Sequence, residues 1–191
     1  MNRKKAGSVR IIGGRWRGRR IPVADVPGLR PSGDRSRESL FNWLQADIRG
    51  ARCADLFAGT GVLGLEAASR GASQVTLIEQ SRRAARVIRE SVEVLSKTEP
   101  CDVNVLEMDA LAWLKTLDRG SLDIVFVDPP FGSGLEAHVL ELLEECDALT
   151  DGALVYVETA REALSIPVPR GWSEVREKVL GEVRMQLLRN E

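Results

Sequence analysis

Two segments have residue types and spacing suited to chemistry: Asp55-Leu-Phe-Ala-Gly59-Thr-Gly61-Val-Leu-Gly64 and Asp128-Pro129-Pro130-Phe131. The first carries three glycines in GxGxxG spacing. Between a strand and a helix, such glycines allow a tight turn and close approach of a ligand, while the helix N-terminus offers free amides. Glu79 follows Gly59 by 20 residues, where an acidic group reaches a ribose in sites of this kind. Asp55 then discriminates among nucleotides. A dinucleotide would lay its pyrophosphate on this turn, and a carboxylate four residues before Gly59 would repel it. S-adenosyl-L-methionine brings an ammonium and a sulfonium to the same place, and Asp55 attracts both. The cofactor residues expected are Asp55, Phe57, Gly59, Gly61, Gly64 and Glu79, with Asp109 and Ala110 beside the adenine. Asp109 has an equally good explanation as a helix N-cap.

The second segment suits methyl transfer to an exocyclic amine. Such an amine is a poor nucleophile because its lone pair is delocalised into the base ring. Acceptors from the Asp128 carboxylate and the Pro129 carbonyl can hold its two hydrogens and aim the lone pair at the methyl carbon. Alignment of this kind contributes roughly 7–11 kcal/mol. Pro129 and Pro130 stiffen the backbone, and Phe131 offers a stacking face to an extruded base, worth about 1–3 kcal/mol. Taken alone, the tetrapeptide is also a capped proline turn with Phe131 in the core; its place two βα units after the glycine loop favours the functional reading. Phe131 stands where methylation at pyrimidine carbon 5 would need a cysteine nucleophile, which excludes that chemistry.

These groups require a scaffold that brings the carboxyl ends of separate strands together. From residue 51 onward, short β-branched runs at 52–57, 74–79, 102–108, 122–128 and 153–158 alternate with helical patterns at 62–70, 81–96, 110–117 and 135–149. This predicts an α/β fold, a doubly wound, mostly parallel sheet of seven strands of the Rossmann-like type, completed by strands at 174–180 and 182–188 turning at Gly181. Its ligands bind at the carboxyl edge, near the switch in strand order. Before the sheet, runs at 9–12 and 21–23 around Gly13-Gly14 read as a hairpin, and Leu40, Phe41, Leu44 and Ile48 as the apolar stripe of a helix capped by Asp34 or Ser36. The expected division is 1–50, a basic hairpin and helix, and 51–191, the cofactor-binding domain.

Charge is distributed to match. The whole chain carries 27 Lys+Arg against 28 Asp+Glu, yet residues 1–40 hold eleven basic residues and three acidic ones. That basic excess predicts a contact with nucleic acid through Arg10, Arg15, Trp16, Arg17, Arg19, Arg20, Arg30, Arg35 and Arg37. A solvated tail or a transit peptide is the plainer alternative, the latter opposed by the hairpin pattern. His138, Cys53, Cys101 and Cys146 form no cluster with zinc spacing, so no metal is expected. No signal peptide or membrane span is expected either, which points to a cytoplasmic protein with reduced cysteines.

With these residues in view, the chain resembles the bacterial 16S ribosomal RNA guanine-N2 methyltransferases of the RsmD type, among the class I S-adenosylmethionine methyltransferases. The resemblance rests on Arg10-Ile-Ile-Gly-Gly-Arg-Trp-Arg-Gly-Arg, Gly28-Leu-Arg-Pro, Asp34-Arg-Ser-Arg-Glu-Ser-Leu-Phe-Asn-Trp-Leu, residues 55–66 and residues 128–131. It implies methyl transfer to the exocyclic N2 of one guanine, guanine 966, in 16S rRNA of the assembled small ribosomal subunit, by a monomer whose hairpin and first helix meet RNA. Ser32-Gly33 stands before Asp34 where the family carries Thr-rich residues. Two other readings compete: a DNA adenine-N6 methyltransferase, because the tetrapeptide suits both amines, and a non-catalytic RNA-binding ribosome assembly factor.

Overall fold

The computed structural model describes residues 7–27, 32–130, 132–163 and 166–191. Arg30, Phe131 and the Gly28-Leu-Arg-Pro block lie outside the described residues. The chain opens with a two-stranded antiparallel hairpin, β1 (Ser8–Arg10) and β2 (Arg20–Pro22). Strand β1 ends before its apolar run does because the amides of Ile12 and Gly13 leave the ladder to bond the Glu66 carboxylate, at 2.8 and 2.7 Å. Helix α1 (Asp34–Trp43) follows, with Gly33 at its N-cap and no side-chain cap. Asp34 is already helical, and its carboxylate serves Arg37 and Arg10 instead of capping.

From there the chain alternates as expected: β3 (Arg52–Asp55), α2 (Val62–Ser69), β4 (Gln74–Ile78), α3 (Arg82–Ser96), β5 (Val103–Leu106), α4 (Ala110–Leu114), β6 (Leu122–Val127), α5 (Leu135–Glu145) and β7 (Leu149–Ala160). Helix α5 stops early because Asp147 adopts a left-handed backbone, φ 51°. Strand β7 starts before its apolar run, the pattern there being hidden by exposed Asp151 and Gly152. Strands β8 (Trp172–Leu180) and β9 (Val183–Asn190) turn at Gly181.

The seven strands lie in the order β5-β4-β3-β6-β7-β9-β8, parallel through β7 and antiparallel at β9 and β8. The order reverses between β3 and β6, so their carboxyl ends flank the switch point. One face of the sheet packs on α1, α2 and α3 through residues such as Phe41, Leu65, Ile88, Phe126 and Tyr156. The other packs on α4 and α5 through Leu114, Val125, Val139 and Leu143. Val9, Ile11, Trp16 and Ile21 of the hairpin belong to the first of these cores, which therefore runs across residue 50 without a break. Among the described residues, no helix is long and apolar enough to cross a membrane.

Candidate active site

The glycine loop leaves β3 with Gly59 (φ 55°) and Gly61 (φ 76°) both left-handed, conformations that favour glycine. Gly64 has a different task. A β-carbon there would sit 2.2 Å from Leu77 Cδ2, so its absence lets α2 pack directly on β4. Glu79, just past β4, accepts the Gly59 amide at 2.8 Å and the Ser81 amide at 2.6 Å. Each oxygen has a second lone pair, so the carboxylate is oriented while still able to accept from a ribose. Asp109 caps α4 through the Ala112 amide at 2.8 Å, and Ala110 is buried behind it. Phe57 is half-buried beside the second core.

Asp55 is 1% exposed. Its Oδ2 accepts the Gly64 amide at 3.1 Å, while buried Oδ1 takes no hydrogen bond among the described residues. Burial pushes the carboxyl up to about 7, opposed by the Gly64 amide and, more weakly, the Phe57 amide, and reinforced by Asp128 and Glu79. A buried carboxylate oxygen without a donor is a costly arrangement that a cation at that position would resolve. The residues present thus fit the ammonium and sulfonium of S-adenosylmethionine.

Asp128 follows β6 directly. Its Oδ2 accepts the Ser32 hydroxyl at 2.9 Å, a donor supplied by the segment just before α1. Burial raises its pKa; the Ser32 bond opposes this and the charge of Glu136 adds to it. The Pro129 carbonyl takes no hydrogen bond among the described residues, and the Pro130 carbonyl closes a tight turn onto the Ser133 amide at 3.1 Å. The structure places Asp55 and Asp128 on adjacent strands, since Asp55 pairs with Phe126 two residues before Asp128. Ser32 and, on β7, the buried pair Tyr156 and Glu158 complete this edge. Sequence patterns alone did not single them out. The signal available for Glu158 was a carboxylate closing an otherwise apolar strand run.

The expected RNA-facing residues divide. Arg17, Arg19, Arg20 and Arg35 are exposed, and Arg10 is exposed beside Asp34. Arg37 is not available to an external phosphate: its side chain is 0% exposed and bonds Asp34, Glu66 and the carbonyls of Arg10 and Ser32. Burial pulls its pKa down, against the pull of Asp34 and Glu66. Trp16 is 2% exposed and packs in the core, so it offers no stacking face. Arg15 is exposed, and its guanidinium bonds the carbonyls of Pro100 and Ala68 and lies over the Trp16 ring. Arg37, expected on RNA phosphates, is instead paired with anions of the protein itself.

This fold, with a glycine loop and an Asp-Pro-Pro turn on adjacent strands at the switch point, defines a class I S-adenosylmethionine-dependent methyltransferase. Residues 9–189 match the family model described as Conserved hypothetical protein 95. The chain is 47% identical over 190 residues to ribosomal RNA small subunit methyltransferase D of Escherichia coli strain K12, covering 100% of this chain and 94% of that one. It is 41% identical to the Haemophilus influenzae protein of the same name, over 96% and 95% of the two chains. The solved structure of Escherichia coli yhhF, assigned as a methyltransferase, superposes with a TM-score of 0.83 at 46% identity, over 97% of this chain and 99% of that one. The chain belongs to this family, that of the small subunit methyltransferases of type D.

Proposed function

We propose that the protein methylates the exocyclic N2 of a single guanine, guanine 966, in 16S rRNA within the assembled small ribosomal subunit. The observation that carries this reading is the placement of Asp128, with a Pro129 carbonyl that takes no hydrogen bond among the described residues, one strand from Asp55 and the glycine loop. Asp55, Gly59, Gly61, Glu79 and Asp109 would hold S-adenosylmethionine, which when bound supplies an electrophilic methyl group on sulfur. Asp128 and Pro129 accept the two N2 hydrogens and turn the lone pair out of conjugation. For the methyl gained, N2 gives up one proton, and Asp128, its basicity raised by burial, is the acceptor at hand. Pro130 fixes the turn, and Phe131 is assigned the stacking face. The proposed setting is the cytoplasm, with a monomer acting without metal and Arg10, Arg15, Arg17, Arg19, Arg20, Arg30 and Arg35 on the RNA phosphates.

The test supplies labelled S-adenosylmethionine with small-subunit particles from cells lacking the protein, and with duplex DNA. Label is expected in the particle, at a guanine identified by mass mapping. Label in DNA alone would assign the adenine reading. Absence of cofactor binding by calorimetry would assign a non-catalytic assembly role.

A further inference from the structure

Glu158 is a carboxylate that the reaction described so far does not use. It lies on β7 at 4% exposure, and the buried Tyr156 hydroxyl donates to its Oε2 at 2.6 Å. No ion pair reaches it among the described residues, and its other oxygen accepts no hydrogen bond there. Burying a carboxylate without a cation costs several kcal/mol, and a neutral hydroxyl recovers only part of that. The residue paired with it across the sheet, Met185, is buried and apolar on the same face, so the fold there does not call for a charge.

Strand order says what Glu158 faces. The cofactor residues lie on β3 and past β4 and β5; Asp128 ends β6; β7 lies on the far side of β6 from the cofactor. A base presenting an amine to Asp128 while the methyl donor fills the β3 side must rest over β6 and β7. Val127 pairs with Val157, the last matched pair of two parallel strands, so Asp128 and Glu158 each follow directly from that pair, and paired strands lie about 4.8 Å apart. Each charge raises the cost of ionising the cluster, which includes Asp55 and Glu136.

Resting on the guanine-N2 reading above, we infer that Glu158, oriented by Tyr156, accepts the N1–H of the target guanine and so selects it by its Watson–Crick edge. Guanine presents two adjacent donors there, N1–H and the N2 amine, and Asp128 with Glu158 presents two adjacent acceptors. A purine whose N1 carries a lone pair would set that lone pair against the carboxylate and lose the bond. Asp128 acts on the reacting amine, whereas Glu158 is a specificity residue acting on the neighbouring ring nitrogen.

The test uses reconstituted small-subunit particles carrying either guanine or 2-aminopurine at the methylated position. The analogue keeps the amine on carbon 2 and lacks the hydrogen on N1. The wild-type protein is expected to methylate the guanine particle at least about tenfold faster. Glu158→Gln should slow the guanine reaction about tenfold to a hundredfold and bring the two rates together, because a carboxamide can donate to a bare N1. Tyr156→Phe, which loosens the carboxylate without removing it, should narrow the ratio less. Equal wild-type rates on both particles, or a Glu158→Gln variant that slows both by the same factor, would overturn the inference while leaving guanine methylation standing. A wild-type protein inactive on the guanine particle would remove the underlying reading as well.

Discussion

Glu66 on α2 and Asp55 at the end of β3 are both buried carboxylates, 0% and 1% exposed, and their surroundings are opposite. Glu66 is surrounded by donors: the Ile12 and Gly13 amides, the Arg70 guanidinium at 2.9 Å and Arg37 at 3.5 Å. Asp55 accepts the Gly64 amide on Oδ2, and its Oδ1 takes no hydrogen bond among the described residues. The satisfied charge belongs to architecture, locking the hairpin to the sheet. The unsatisfied one is the residue proposed to meet the cationic cofactor, and burial lifts its pKa. Completeness of hydrogen bonding, more than burial, separates a structural charge from a functional one here.

That contrast can be broken at several points. Asp128→Ala at the open end should lower turnover by roughly a thousandfold, with cofactor affinity by calorimetry within a few fold; near-normal turnover would make Asp128 a structural cap. Glu66→Ala at the closed end should cost about 3–5 kcal/mol in denaturant unfolding, because the buried Arg37 is left without one of its anions. A cost under about 1 kcal/mol would mean that the network closes without it. Asp55→Asn should abolish cofactor binding and yet raise the melting temperature at pH 8. The sign follows from linkage. The folded state holds the Asp55 proton up to about pH 7, whereas the unfolded chain releases it near pH 4, so wild-type stability falls as pH rises through that window. At pH 4 the variant should show little gain, and a gain independent of pH would refute the assignment. The smallest effect belongs to the outer surface. Arg17→Glu with Arg19→Glu should leave melting and cofactor affinity unchanged and make the logarithmic salt slope of particle binding shallower by about one for each phosphate that is no longer neutralised. An unchanged slope would return these arginines to a role in solubility.

Much of this was readable before any coordinates. The alternation from residue 51, the glycine loop and the Asp-Pro-Pro turn are local patterns, and local patterns survive in a one-dimensional string. Arg37 and Trp16 were not readable. Arg37 meets Glu66 29 residues later, and a buried ion pair at that separation has no periodic signature. The basic excess of residues 1–40 overstated the surface charge because part of it is neutralised internally. Glu158 and Ser32 were hidden for a related reason. They reach the site only once β7 lies beside β6 and the segment before α1 crosses to Asp128, 96 residues from Ser32.

The bonds between Ile12, Gly13 and Glu66 also impose an order in time. Ile12 leaves the ribosome 54 residues ahead of the carboxylate that secures its amide. At a synthesis rate of about 5–20 residues per second, the hairpin waits roughly 3–11 s for its anchor. During that interval Arg37 has no Glu66 beside it, and β9, which closes the sheet between β7 and β8, has yet to be made. The nascent N-terminus is therefore most strongly cationic while still tethered to the particle that synthesises it.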